Sequence, residues 1–300
     1  MIDESIYRLI YFIMFEPYII SYKISILKLL GGHIFMPISE KVELLGKGLY
    51  SDIPDVLTIK SIPTASELDF VGSEDFEKTM LEVILPQAVE EDIDFKHLLE
   101  IDYQWICRCL RILNYGPFYT TNAIFCEDCG STSYGEYQVN LETVKCKMLP
   151  DGFVNDIVIK KDEFLDFDQD IHIKLPTMQK MMNAEKDKAF KLADGRTNRE
   201  LSRICYMISS IGNKKDLTPL EISMKIKNEL SSADYIILKT RVQDLADYGL
   251  RAGGSVQCPK CGSPDAAYIA LMDDRFFRPT LGDLRKWKHY RSSRKDEDIS

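Results

Sequence analysis

Two short cysteine turns constrain this sequence more than any other feature. The segments "CEDCG" (126–130) and "CPKCG" (258–262) each have the C-x-x-C spacing followed directly by glycine. Such a turn directs two thiolates at one metal ion, and a tetrahedral structural zinc site needs four ligands. We therefore predict one structural Zn²⁺ per chain, bound by the cysteines of both turns: Cys126, Cys129, Cys258 and Cys261.

The separation of the two turns is unusual, because 128 residues (130–257) lie between Cys129 and Cys258. The entropy of loop closure grows only logarithmically with length, so this spacing does not forbid a shared site. Two alternatives stay open at this point. The first turn has a separate site completed by Cys146, or the cysteines carry no metal or have a redox role.

The fold class predicted from the pattern is α+β, with a zinc-ribbon-like pair of cysteine knuckles and a helical insert between them. Strands are expected at 55–62, after the first knuckle, at 153–160 and at 170–177, where β-branched residues alternate with polar ones. A helix is expected at 95–116, where apolar residues recur at steps of three and four. Cys107 and Cys109 lie on opposite sides of that helix and are expected to be buried apolar residues.

Further helix starts are predicted from capping patterns. These pair Thr64 with Glu67, Thr197 with Glu200, Thr218 with Glu221, and Ser231 with Asp234, and Ser73 or Asp75 opens a helix that Pro86 ends or kinks. The resulting segments are an apolar extension (1–35), an α+β region (36–125), the first knuckle with its strands (126–176), the helical insert (177–255), the second knuckle and strand (256–285), and a charged, frayed tail (286–300).

The apolar extension has no uninterrupted run long enough to span a membrane, because Arg8, Glu16, Lys23 and Lys28 interrupt it and Pro17 breaks it. We expect that residues 1–35 pack on a partner or are not native, since a sequence typical of a globular protein begins at Met36. No membrane partner is predicted.

Charge and composition argue against two broad function classes. The net charge of −9 repels a phosphate backbone, so nucleic-acid binding is not expected. The four histidines lie in no catalytic motif. The glycines of "LLGKGLY" (44–50) predict a turn, and the segment does not match the phosphate-binding loop motif. We therefore do not expect the protein to be an enzyme.

The eight cysteines do not resemble a secreted disulfide framework, and this favours a reducing compartment.

A family resemblance covers roughly residues 36–285. The order "SIPTASELDF", "FEKTMLEVI" and "LLEIDYQWICRCLRILNYGPFY" leading into "CEDCG", with "CPKCGSPDAAYIALMDDRFFRPT" later, is similar to the tail baseplate hub assembly family of T4-type contractile phages. The cysteine pairs are not universal in that family, so the metal prediction rests on spacing alone.

The resemblance implies a virion-assembly role in the host cytoplasm, or a place in the virion tail, through contacts with other tail and baseplate proteins. Two other classes stay open. One is a zinc-ribbon nucleic-acid-binding or transcription-related module, which a basic face at the ribbon favours. The other is a metalloenzyme, which a water or histidine ligand on the metal favours.

Overall fold

The protein is described here by a computed structural model. It describes residues 39–62, 73, 75–126, 128–250, 253–254, 256–264, 267–268, 274–277 and 279–297. The predictions for the apolar extension and for the Thr64–Glu67 cap lie outside these residues.

Short helices and small antiparallel sheets alternate along the chain, so the fold class is α+β as predicted. The helices are α1 (Phe76–Thr79), α2 (Leu85–Ala88), α3 (Glu100–Tyr115), α4 (Met178–Lys186), α5 (Arg199–Met207), α6 (Pro219–Glu229), α7 (Ser232–Ala246) and α8 (Leu281–Glu297). The strands are β1 (Ser39–Glu43), β2 (Val56–Lys60), β3 (Phe118–Cys126), β4 (Ser131–Asn140), β5 (Cys146–Lys147), β6 (Ile157–Ile159), β7 (Ile171–Ile173), β8 (Ile208–Ile211), β9 (Gly249–Leu250), β10 (Gly253–Gly254) and β11 (Ala267–Tyr268).

Four sheets are formed by these strands, and every pairing is antiparallel. β1 pairs with β2, β5 pairs with β9, and β6, β7 and β8 form a three-stranded sheet in that order. The largest sheet has the order β10-β11-β3-β4, so it joins two hairpins from distant parts of the sequence. This sheet is the one that positions the cysteine knuckles.

Two apolar cores flank helix α3. The first core contains α1, α2, the β1–β2 hairpin and parts of β3 and β4, and Ile106 and Leu110 of α3 are fully buried in it. The second core contains the β6–β7–β8 sheet and helices α5, α6 and α7, and Ile101 of α3 packs there. β8 lies in the predicted 177–255 insert and pairs with β7 from the 126–176 segment, so those two segments share one core.

Helix α3 starts later than predicted. A single 3-10 turn covers Phe95–His97, and the chain is extended at Leu98 and Leu99 before the helix begins at Glu100. The extended stretch is held by hydrogen bonds to the chain before α4: Glu100 N–H donates to Pro176 O, and Met178 N–H donates to Leu98 O. Cys107 and Cys109 are buried, which confirms that part of the prediction.

Pro86 lies inside a helical stretch instead of ending it. Asp75 caps α1 by accepting from Lys78 N–H, and the wider π-helical turn Met80–Ile84 then leads into α2. Proline lacks an N–H donor and its ring clashes with the carbonyl of the preceding turn in a regular helix. A π-type turn changes that spacing, so the helix continues to Ala88.

The caps at the later helices are mostly those predicted. Thr218 with Glu221 and Ser231 with Asp234 open α6 and α7. The Thr197–Glu200 prediction is wrong: Asn198 caps α5 by accepting from Leu201 N–H. Thr197 instead lies in an isolated bridge with Lys191, which leaves the next side chain to cap the helix.

The expectation of a frayed C-terminal tail is also wrong. Helix α8 runs through residues 281–297 and crosses the predicted boundary at 285/286. Its first turn is closed by a reciprocal pair of hydrogen bonds, Asp283 N–H to Thr280 Oγ1 (3.1 Å) and Thr280 N–H to an Asp283 carboxylate oxygen (2.9 Å). Asp283 is buried and also accepts from Thr120 Oγ1 of β3 at 2.6 Å, so the cap attaches the helix to the knuckle sheet.

Candidate metal centre

Each cysteine knuckle is the tip of an antiparallel hairpin. The first lies between β3 and β4, and the second lies between β10 and β11. Tyr268 of β11 pairs with Phe125 of β3, so the two hairpins become neighbours in one sheet. Cys126 is the last residue of β3, directly after that pairing position. The sheet therefore brings the two knuckles together across the 128 intervening residues.

The four predicted ligands converge. The Sγ atoms of Cys126, Cys129, Cys258 and Cys261 all lie within 4.8 Å of one another. Two of the sulfur contacts between the knuckles are Cys126 Sγ to Cys261 Sγ at 3.5 Å and Cys129 Sγ to Cys258 Sγ at 3.9 Å. Four sulfur atoms at about 2.3 Å from a tetrahedral metal ion are separated by about 3.8 Å. The cluster therefore has the dimensions of a four-thiolate metal site.

The backbone of the second knuckle supports this geometry. Gly262 N–H donates to Cys258 O at 2.9 Å, and Cys258 N–H donates to Ser263 O at 2.8 Å. The Lys260 N–H lies 3.4 Å from Cys258 Sγ and donates to it. Gly262 and its counterpart Gly130 both have positive φ, 77° and 63°, which explains the glycine after each cysteine pair.

The two sulfur atoms contributed by each knuckle differ in exposure. Cys126 and Cys258 are each 1% exposed and pack against each other, whereas Cys129 and Cys261 are exposed. The Ser131 hydroxyl lies 2.9 Å from Cys129 Sγ and lowers the pKa of that thiol to about 6. Burial raises the pKa of Cys126 to about 12. A bound metal deprotonates all of its thiol ligands.

A hydrogen bond between side chains also joins the knuckles. The Ser263 hydroxyl of the second knuckle donates to the Asp128 carboxylate of the first. Both knuckles read C-x-x-C-G-S, with Ser131 and Ser263 at the final position. The shared serine is therefore a further local signal, beyond the cysteines and glycines, that the two knuckles are equivalent.

Cys146 lies apart from the cluster. It is half-buried in β5, opposite Leu250 of β9, and its Sγ contacts Met148 Sδ at 3.9 Å. Among the residues that the structure describes, the group that could hold a metal ion is made of four cysteines and contains no histidine or carboxylate. With four thiolates as ligands, no coordination position stays open for water or substrate.

A buried arginine fixes the segment that follows the second knuckle, and no local sequence pattern indicates this role. Arg111 of α3 is fully buried and donates to three carbonyl oxygens: Phe276 (2.7 Å), Gly116 (2.8 Å) and Phe118 (2.8 Å). Burial lowers the pKa of Arg111 to about 10. The Phe276 ring also packs edge-on against Tyr119 of β3, with 5.3 Å between centroids.

Comparisons of the chain with protein-family models, with curated proteins and with solved structures give no match. Among the described residues, no helix is long and apolar enough to cross a membrane. The class defined by the fold and the site is therefore a mixed α+β protein with a four-cysteine cluster that could bind a metal ion.

Proposed function

We propose that this chain binds one structural zinc ion through Cys126, Cys129, Cys258 and Cys261. The convergence of the four sulfur atoms within 4.8 Å is the observation that carries the proposal. Zinc is the best match among common metals, because it favours tetrahedral thiolate sites and needs no redox partner. The ion joins the β3–β4 hairpin to the β10–β11 hairpin, so metal binding contributes directly to folding.

Metal analysis tests this part of the proposal. Protein purified without added metal or chelator should contain about one zinc ion per chain by elemental analysis. The Cys146→Ser variant is the matched control, and we expect it to keep the full zinc content because Cys146 lies outside the cluster. Absence of zinc from the wild type, or two ions per chain, would contradict a single shared site.

The biological role that we propose is that of a phage tail baseplate hub assembly or structural protein in the host cytoplasm. Its support is the resemblance of residues 36–285, together with a site whose four thiolates leave no open position for catalysis. The protein then acts through contacts with other tail proteins. Affinity purification of the tagged chain from infected cells should recover tail and baseplate proteins. Recovery of none of them, in lysates where tails assemble, would contradict the role.

One observation favours the alternative of a nucleic-acid-binding ribbon. Helix α8 exposes Arg285, Lys286 and Lys288, and Lys286 Nζ contacts Gln138 Oε1 of β4 at 2.6 Å, so the basic residues flank the knuckle sheet. The net charge of −9 opposes general binding to a polyanion. Mobility-shift measurements with single- and double-stranded DNA, using Arg285→Glu/Lys288→Glu as the control, separate the alternatives. Salt-dependent binding that this variant abolishes would favour the ribbon alternative.

A further inference from the structure

The sulfur cluster combines accessible and protected thiols. Two of the sulfur contacts between the knuckles each join one exposed cysteine to one buried cysteine, Cys261 to Cys126 and Cys129 to Cys258, while the buried Cys126 and Cys258 also pack against each other. An exposed thiolate is the atom that an oxidant in solution reaches first, and a neighbouring thiolate is then the atom that completes a disulfide. The geometry therefore supplies an attacking and a resolving sulfur in both pairs.

The sulfur atoms of each pair lie close enough for a small movement to bring them to the length of a disulfide bond. The two Sγ–Sγ separations are 3.5 and 3.9 Å, and a disulfide bond is about 2.05 Å long. The hydrogen bond from Ser263 to the Asp128 carboxylate, and the pairing of Tyr268 with Phe125, join the knuckles without metal. The sulfur atoms thus stay neighbours when the ion leaves.

We propose that the four-cysteine cluster has a second, oxidised state, in which peroxide releases the metal and forms the disulfides Cys126–Cys261 and Cys129–Cys258. The inference rests on the metal site proposed above. An exposed thiolate attacks peroxide, the O–O bond breaks, and a sulfenic acid and hydroxide form. The partner thiolate then attacks that sulfur, the S–S bond forms, and a second hydroxide leaves. Two peroxides accept four electrons in total, four thiolates become two disulfides, and one Zn²⁺ is released.

Three of the four cysteines outside the cluster are protected from this chemistry. Cys107, Cys109 and Cys205 are buried, and burial raises their pKa values, to about 11 for Cys109 and about 12 for Cys205. Thiols in this state carry almost no thiolate at neutral pH and react slowly with oxidants. Oxidation is therefore directed to the cluster in preference to these three buried thiols, which are internal controls for its selectivity.

The two hairpins would therefore stay joined under both reducing and oxidising conditions. In a reducing compartment a metal ion holds the two hairpins together, and in an oxidising one two covalent bonds replace it. Disulfides within the knuckles, Cys126–Cys129 and Cys258–Cys261, would instead leave the hairpins joined by neither a metal ion nor a covalent bond. The pattern of pairing therefore decides whether oxidation preserves or opens the structure.

Disulfide mapping tests the proposal on the full-length, zinc-loaded protein. The protein is treated with about two equivalents of hydrogen peroxide per chain, and released zinc is followed with a chromogenic chelator. Peptide mass spectrometry under non-reducing conditions then identifies the cross-links. We expect loss of four alkylatable thiols, release of the bound zinc, and peptides joined as Cys126–Cys261 and Cys129–Cys258. The Cys146→Ser protein should behave in the same way.

A double variant tests one pair by itself. Cys129→Ser/Cys258→Ser keeps Cys126 and Cys261, and one equivalent of peroxide should give a single cross-link between the knuckles. If this variant does not fold, the wild-type map still decides the question. If the protein binds one zinc ion but peroxide produces disulfides within each knuckle, or sulfinic acids, the inference is wrong. The proposed metal site is not contradicted by that result. A protein that never binds zinc contradicts the proposed site itself, whatever disulfides form.

Discussion

Two buried charged residues organise the chain at the scale of single side chains. Arg111 donates to carbonyl oxygens of Gly116, Phe118 and Phe276, and Asp102 accepts from the backbone N–H groups of Leu45 and Gly46 and from the Tyr50 hydroxyl. Each residue therefore fixes a loop whose own polar groups would otherwise be buried without partners.

Replacing Arg111 by methionine should lower the free energy of unfolding by about 3 kcal/mol, because three buried carbonyl oxygens lose a charged donor. Denaturant titration with and without the substitution measures this loss. The control is Arg199→Met at an exposed position of α5, which should change stability by less than about 0.5 kcal/mol. Equal effects of the two substitutions would contradict the role of Arg111.

Asp102 gives a prediction that depends on pH. Burial raises the pKa of its carboxyl above the ordinary 3.8, so the folded state binds this proton more tightly than the unfolded state does. Its contribution to stability is therefore fully present below the ordinary pKa and is lost as pH rises through the folded pKa. Asp102→Asn removes this titration. The difference in unfolding free energy between wild type and variant should thus shift in favour of the variant as pH rises above about 4. A constant difference would contradict a raised pKa.

Neither buried residue could be identified from the sequence. Phe276 lies 165 positions from Arg111, and Leu45 lies 57 positions from Asp102. In a helix such residues look like ordinary surface charges, because nothing local shows that α3 is covered on both sides by apolar cores. The cysteine ligands were predictable, since each knuckle is a local pattern of turn, glycine and thiol.

At the scale of elements, local capping chemistry determines where helices begin. The predicted starts of α6 and α7 were correct because every atom involved lies within four residues. The start of α3 was misplaced because backbone contacts with Pro176 and Met178 hold Leu98 and Leu99 extended. Helix α8 is absent from the prediction, although Thr280 and Asp283 have capping-box spacing, because the many charges that follow are typical of a frayed tail.

Asp283→Ala should loosen α8, because it removes the cap and the acceptor of Thr120 Oγ1. A lost N-cap costs about 1 kcal/mol. Hydrogen exchange measured by mass spectrometry should accelerate in residues 281–297 and stay unchanged in α7. Asp244→Ala, at an exposed position of α7, is the control and should leave exchange in α8 unaltered. Protection of α8 that survives Asp283→Ala would contradict the importance of this cap.

At the scale of the whole molecule, the knuckle sheet unites distant segments. The chain leaves the sheet after β4, contributes most of the second core and returns to the sheet at β10. The cysteine spacing predicted this closure, but the order of the strands and the sharing of α3 between two cores depend on contacts across the chain that no local pattern encodes. Apart from the boundary at 285/286, which α8 crosses, the predicted segment boundaries stay predictions.

If both knuckles bind the same metal ion, the loss of a cysteine from either knuckle should destabilise the protein to a similar extent. Cys126→Ser and Cys258→Ser should lower the melting temperature by similar amounts, because each leaves the same metal ion with three thiolates. Thermal unfolding and zinc content measured on the same samples test this, with Cys146→Ser as the control. A severe loss from one substitution beside a mild loss from the other would indicate separate sites.

The contact between Gly116 and Trp287 has a practical consequence. Gly116 has a φ of 80°, and a Cβ added there would lie 2.4 Å from the Trp287 ring, so the indole of α8 rests directly on the backbone that ends α3. The chain has two tryptophans, and Trp105→Phe would leave Trp287 as the single indole fluorophore. The fluorescence of Trp287 then reports whether the C-terminal helix α8 is docked, and it can be followed continuously while metal is removed or added.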